Sequence, residues 1–182
     1  MLKDLVTIII PCKNSVYKLK TTIENLLNKT KIQGTRVLVL DFGSEDGSQQ
    51  YAAQASSDYM RKIKIECIKM QEESNLKLIE DTVNTPYLMI IRSGSISSDK
   101  DIIMNSLNKA NTVDQSIVYF KNIGIIKNIL SKFKKKEKQI SYIISKKDIL
   151  SHVYFEEKTN TIDLNKGNPG NRGILIERFS DN

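Results

Sequence analysis

Three short apolar runs constrain what this chain can fold into. Leu5–Ile10 is closed by Pro11, Thr35–Asp41 is apolar at nearly every position after Arg36, and Tyr87–Ile91 follows Pro86. Such runs are rich in β-branched residues and read as strands covered on both faces, as in parallel sheets. Between the first two, Tyr17, Leu19, Ile23, Leu26 and Leu27 fall on one face of a helix. Gly43–Ser48 reads as a loop entering a second helix that reaches about Tyr59, with Ser44 as its N-cap. Ile63–Ile68 alternates strictly, which predicts a half-exposed strand near a sheet edge. Ser74–Val83 and Asp99–Ala110 are expected helices, and Ser116–Phe120 and Gln139–Ile144 expected strands. The tail Thr161–Asn182 reads as loop-rich, with a short strand at Gly173–Ile176.

This alternation predicts one α/β domain. A mainly parallel central sheet carries helices on both faces, joined by right-handed crossovers. Ligands of such sheets sit beyond the carboxyl ends of the strands. The loops Pro11–Ser15, Phe42–Ser48 and Arg92–Ser98 are therefore where a site belongs.

Composition narrows the classes. A chain of 182 residues is one domain of ordinary size, and with only 3 Pro and 8 Gly it does not resemble a linker or a disordered segment. The net charge of +7 favours anionic partners, such as nucleotide phosphates or lipid head groups, although Lys-rich solvated faces give the same sum. Cys12, Cys67 and His152 are too few and too scattered for a zinc site of protein ligands, and a reducing cytoplasm is the simplest context. No apolar run approaches the ~18 residues of a membrane span. Trp is absent and no aromatic platform accompanies the lysines, which argues against nucleic-acid binding.

Val6-Thr-Ile-Ile-Ile-Pro-Cys-Lys-Asn14 resembles the opening strand of family 2 glycosyltransferases, V-S-I-I-I-P-x-Y-N. Asp41-Phe-Gly-Ser-Glu-Asp-Gly-Ser48 is similar to their D-D-G-S-x-D-G-S, and Tyr87 to Ser95 stands where they carry Y-I-x-F-L-D-x-D-D. The resemblance runs over roughly residues 5–111 and fades beyond. It implies a GT-A fold, with residues 1–111 as the nucleotide-sugar-binding half and 112–182 as a shortened acceptor-side half. It also implies a nucleoside diphosphate sugar of the UDP type as donor, a glycan or lipid-linked acceptor, and a role in glycan or polysaccharide assembly. Pro11, Asn14, Asp41, Phe42 and Ser44 map onto the cleft for base and ribose. A capping role for Asp41 and Ser44 is the competing reading.

The acids of the resembling enzymes are replaced. Phe42 stands for the second Asp of the pair, and Arg92, Gly94 and Ser95 stand for the metal carboxylates. If Asp163-Leu164 is the later D-L dipeptide, the general-base pair falls on Asn160 and Thr161. Mg²⁺ and Mn²⁺ take hard oxygen ligands and neutralise the leaving diphosphate. Their loss implies either abandoned chemistry, in a non-catalytic relative that binds a partner glycosyltransferase or a glycan, or rebuilt chemistry. In the rebuilt case Arg92 clamps the diphosphate through a bidentate guanidinium, as in metal-independent GT-A enzymes that use basic side chains.

Gly124–Lys138 is basic and amphipathic by pattern. Ile126, Ile129, Leu130 and Phe133 share one helical face, and Lys134, Lys135, Lys136 and Lys138 crowd the rest. Such a segment suits an anionic membrane surface or a partner, and equally a helix packed on the sheet with a solvated Lys face. The first reading would place the protein at the periphery of the cytoplasmic membrane.

Overall fold

Strand β1 (Val6–Cys12) is buried at every position, and so is its neighbour β2 (Thr35–Asp41). That burial on both faces is what unbroken apolar runs require. The computed structural model describes residues 4–70, 75–94, 100–112, 117–122, 139–145, 154–156 and 161–163. Within them β3 (Lys64–Lys69) pairs parallel with β2, and β4 (Tyr87–Ile91) pairs parallel with β1 on its other side. β3 forms one edge, as its sequence predicts, but the strict alternation does not hold along it: Ile65 is buried, whereas Cys67, two residues on and on the same face, is exposed.

Helices cover both faces. Leu19, Ile23 and Leu26 of α1 (Val16–Lys29), Ala52 and Ala55 of α2 (Ser48–Asp58), and Ile102, Ile103 and Leu107 of α4 (Ile102–Thr112) pack with Ile8, Ile10, Val37, Val39 and Met89. Opposite them, Ile79 of α3 (Asn75–Thr82) and Val83 pack on Ile9, Leu38, Leu40, Leu88 and Ile90. Ile8 and Ile9, adjacent in sequence, thus feed two different cores. Truncating either fully buried side chain to Ala should cost about 2–5 kcal/mol. A polar tie joins β1 to the turn before β4, where the Thr7 and Thr85 hydroxyls lie 2.8 Å apart.

The second half departs from simple alternation. β5 (Ile117–Asn122) does not join β4. β6 (Gln139–Ser145) lies between them, antiparallel to both, and the sheet order is β3-β2-β1-β4-β6-β5. Periodicity identifies a strand but not its neighbour, so the insertion was not predictable from local pattern. Part of the expected loop-rich tail is also ordered otherwise: β8 (Thr161–Asp163) forms an antiparallel pair with β7 (Tyr154–Glu156). The basic segment 124–138 with Lys134, Lys135, Lys136 and Lys138, Asn160, and the strand expected at Gly173–Ile176 lie outside the described residues. Among the described residues, no helix is long and apolar enough to cross a membrane.

Candidate functional site

Strands β1, β2 and β3 end level with one another. Cys12 is in register with Asp41, and Asp41 with Lys69. Two backbone bonds carry the pairing past the strand ends, Phe42 N–H to the Cys12 carbonyl (2.9 Å) and Met70 N–H to the Asp41 carbonyl (2.8 Å). The carboxyl edge is therefore a firm rim from which the loops depart.

Asp41 is completely buried. It shares the strand face of Val37 and Val39, toward α2. One carboxylate oxygen, Oδ2, accepts the N–H of Gly43 (3.2 Å), the N–H of Ser44 (3.1 Å) and the side-chain amide of Gln49. The other oxygen, Oδ1, is buried and has no hydrogen-bond partner among the described residues. A carboxylate left half-satisfied in this way is costly, because buried polar groups normally find partners.

The first two loops are laced together. Asn14 adopts a left-handed backbone (φ 45°), donates its N–H to Ser44 Oγ (2.9 Å), and accepts the Glu45 N–H on Oδ1 (2.8 Å). Asp46 reaches both helix starts: Oδ2 accepts the Val16 N–H of α1 (2.8 Å), and Oδ1 accepts the Ser48 N–H (3.1 Å) and hydroxyl (2.6 Å) of α2. Burial alone would raise the Asp46 carboxyl, but the accepted bonds from the Ser48 hydroxyl and the Val16 and Ser48 amides outweigh it and hold the group below its ordinary value.

Ser44 is not the cap of α2, in contrast to the sequence expectation. The helix begins four residues later, after Gly47 at φ 91°, and Asp46 supplies the acceptor. The reason is local: an Asp-Gly-Ser turn places a carboxylate two residues before the helix and lets glycine take the positive φ. The Ser44 hydroxyl is used between loops instead.

The third loop leaves β4 at Arg92. Ser93 Oγ donates to the Pro11 carbonyl (2.6 Å), and the Gly94 N–H reaches both the Lys18 carbonyl (3.0 Å) and Thr22 Oγ1 (2.8 Å) of α1. Arg92 itself is half-buried. Pro11 is buried as the penultimate residue of β1, and Phe42 is half-buried with its ring against the Leu38–Leu40–Met70 side of the core. Ser95 and the remainder of the Arg92–Ser98 loop through Ser98 lie outside the described residues.

The expected residues therefore converge on one rim. Asp41, Phe42 and Ser44 gather at the end of β2, Asn14 is bonded to them, and Arg92 follows β4 on the far side of β1. Sequence reasoning missed Asp46, Gln49, Thr22 and Ser93. For Asp46 the Asp-Gly pair ahead of a helix was the available signal. For Thr22 and Ser93 no local signal exists, since their partners come from distant segments, and Gln49 meets Asp41 only through the path of the turn between β2 and α2.

Residues 7–77 match the model of the family described as Glycosyl transferase family 2. No curated protein matches the chain in sequence. Among solved structures, the mannosyltransferase PcManGT from Pyrobaculum calidifontis, in complex with GDP-Man and Mn2+, is similar with a TM-score of 0.52 and 14% identity, over 65% of this chain and 35% of that one. TarS from S. aureus is similar with a TM-score of 0.51 and 15% identity, over 86% of this chain and 31% of that one. The chain thus spans about a third of either neighbour's length, and at these identities the likeness is one of fold.

Proposed function

Taking as premise the GT-A fold and the family 2 glycosyltransferase pattern of residues 7–77, we propose that this protein binds a nucleoside diphosphate sugar at the rim formed by Asp41, Phe42, Ser44 and Asn14. The observation that carries the reading is the gathering of Asn14, Phe42 and Ser44 at the carboxyl ends of β1 and β2, with Asn14 bonded to Ser44 and Glu45 and the buried Asp41 holding the Gly43 and Ser44 amides. Ligands of open α/β sheets sit beyond such strand ends. Phe42 contributes an aromatic ring on the Leu38–Leu40 side of the rim, and Pro11 and Ser44 hold the backbone of the two loops. The Asn14 side-chain oxygen is engaged by Glu45, so its contribution to a ligand is limited to the amide donors.

The chemistry proposed is transfer of a hexosyl group to a glycan or a lipid-linked acceptor in glycan assembly. The mannosyltransferase with the similar fold is bound to Mn2+. In this reading the turn after β4, as described from Arg92 to Gly94, does not hold such an ion. It offers a guanidinium, a Ser93 hydroxyl that donates to Pro11, and a glycine, whereas hard cations need carboxylate or carbonyl oxygens. In this reading Arg92 faces the diphosphate and steadies its charge. The missing carboxylates favour a second reading, a non-catalytic relative that binds the nucleotide sugar, a glycan or a partner glycosyltransferase without turnover.

Calorimetric titration with UDP, GDP and their sugars, first with Mn²⁺ and then with EDTA, tests the binding. Affinity that survives EDTA and falls at least tenfold in Asp41→Asn is the expected result. An absence of binding in every condition would overturn the proposal. Turnover with a lipid-linked acceptor separates the two readings, because the non-catalytic one gives none.

A further inference from the structure

Tyr17 is 85% exposed on the first turn of α1, where its ring adds nothing to the core. Its neighbours fix its place on the helix. Leu19, Thr22, Ile23 and Leu26 are buried against the sheet, so Tyr17 lies on the opposite side, in one stripe with Glu24 seven residues on. That stripe leans toward α2, because the Tyr51 hydroxyl of α2, raised first by burial, is raised further by the charge of Glu24. Side chains on a helix tilt toward its N-terminus, and the N-terminus of α1 is where the second loop arrives. The Val16 N–H, one residue before Tyr17, donates to Asp46 Oδ2 at 2.8 Å, and the Glu45 N–H donates to Asn14 Oδ1 at 2.8 Å. Asn14, Glu45 and Asp46 are all exposed, and the Glu45 carboxylate has no partner among the described residues. An open aromatic ring, two carboxylates and a primary amide share one ledge, on the α2 side of α1 and away from the turn after β4.

We propose that this ledge is a sugar subsite: Tyr17 stacks on the C–H face of one residue of a glycan, while Glu45, Asp46 and the Asn14 amide take its hydroxyls. The inference rests on the glycan part of the reading above and not on its nucleotide part. A pyranose ring is amphipathic. Its C–H groups make an apolar face that matches the electron-rich face of an aromatic ring, and its hydroxyls both donate and accept. Ionised carboxylates only accept. Glu45 therefore takes a sugar O–H, and Asp46 Oδ2, which holds one protein donor, has room for a second. The Asn14 side-chain oxygen is engaged by Glu45, which leaves its N–H groups to donate. Two carboxylates repel a phosphate, so the ledge is distinct from the nucleotide cleft. It grips the glycan away from any reacting end, and serves an acceptor chain or a glycan held without turnover alike.

The test uses maltopentaose, mannopentaose and chitopentaose, each titrated by saturation-transfer NMR into the unmodified protein and into Tyr17→Ala, Tyr17→Phe and Glu45→Gln. UDP and GDP are titrated calorimetrically into the same four proteins. At least one pentasaccharide should bind, with its ring C–H protons saturated from the aromatic region. Tyr17→Ala should weaken it about tenfold, near the upper end of what one aromatic contact contributes. Glu45→Gln should weaken it less, and Tyr17→Phe, which keeps the ring, hardly at all. Nucleotide affinity and unfolding curves should be unchanged in all three variants, since the altered side chains are exposed. If no pentasaccharide binds, or if Tyr17→Ala binds as well as the unmodified protein, the ledge is wrong, and nucleotide binding seen in parallel leaves the donor reading standing. Sugar binding that depends on Tyr17 while no nucleotide binds upholds the ledge and overturns the donor reading. Self-association that Tyr17→Ala abolishes, without sugar contact, gives the ledge to a protein partner and overturns the proposal.

Discussion

Replacing Asp46 by Ala removes the acceptor from two helix starts at once. Val16 N–H loses a 2.8 Å bond, and Ser48 loses bonds of 3.1 Å from its amide and 2.6 Å from its hydroxyl. Loss of one side-chain cap costs about 1 kcal/mol, so the double loss should cost about 2 kcal/mol. Asp46 is exposed, and water replaces part of each bond, which keeps the sum from going higher. Asp46→Asn retains one carbonyl oxygen and should cost about half as much. In a protein of this size each kcal/mol moves the melting temperature by roughly 2–4 °C. Urea and thermal unfolding of the three proteins measure the series. A pH dependence follows from the lowered carboxyl. The charged form is favoured by folding, so its contribution is complete above the ordinary value of 3.8 and is lost as pH falls below that through the folded value. The gap between the unmodified protein and Asp46→Ala should therefore close in strong acid. Equal and negligible losses in both variants, or a gap that persists in acid, would refute the account of Asp46 as a shared cap.

Three further outcomes are expected. Tyr51 has a buried hydroxyl without a hydrogen-bond partner among the described residues, and burial, followed by the charge of Glu24, pushes it up to about 12. Tyr51→Phe should therefore be neutral or stabilising in urea unfolding, and it should abolish a loss of stability seen in the unmodified protein as pH rises from 10 toward 12. The buried Arg36 guanidinium pairs with Glu66, which is partly exposed and also meets Lys64 at 2.7 Å. Glu66→Ala strands a buried charge and should cost about 2 kcal/mol, more than Arg36→Met, by chemical unfolding. For the basic segment, sedimentation with anionic vesicles should reveal binding that Lys134, Lys135, Lys136 and Lys138 mutated to Gln abolish and that salt weakens steeply; salt-insensitive binding, or none, rules out the membrane reading.

The parts of the fold legible in sequence were those whose signal is local. β1 and β2 are nearly unbroken apolar runs, and β3 carries a polar residue between apolar ones, as befits a strand at the sheet edge with one face in solvent. β6 was visible as a strand, but its seat between β4 and β5 depends on pairings far apart in sequence, to which periodicity is blind. β7 and β8 are three residues each, too short for any pattern to register. At the site, Asp41, Asn14 and Arg92 were legible through the resemblance of motifs. The division of labour within Asp41, with one oxygen used and one left over, was not, since it depends on where Gln49 and the Gly43–Ser44 amides meet it.

The seat of β6 has a consequence for the order of synthesis. β1 to β4 can zip together as soon as residue 91 is made, but the outer edge of β4 then waits for Gln139–Ser145. Until those residues emerge, a strand whose Leu88, Met89, Ile90 and Ile91 are all buried in the finished protein presents an open ladder of hydrogen-bonding groups. An open apolar edge is a template for pairing with another chain. A nascent or truncated product that stops short of residue 139 should therefore be prone to aggregate, and a peptide spanning 139–145 should act as its plug.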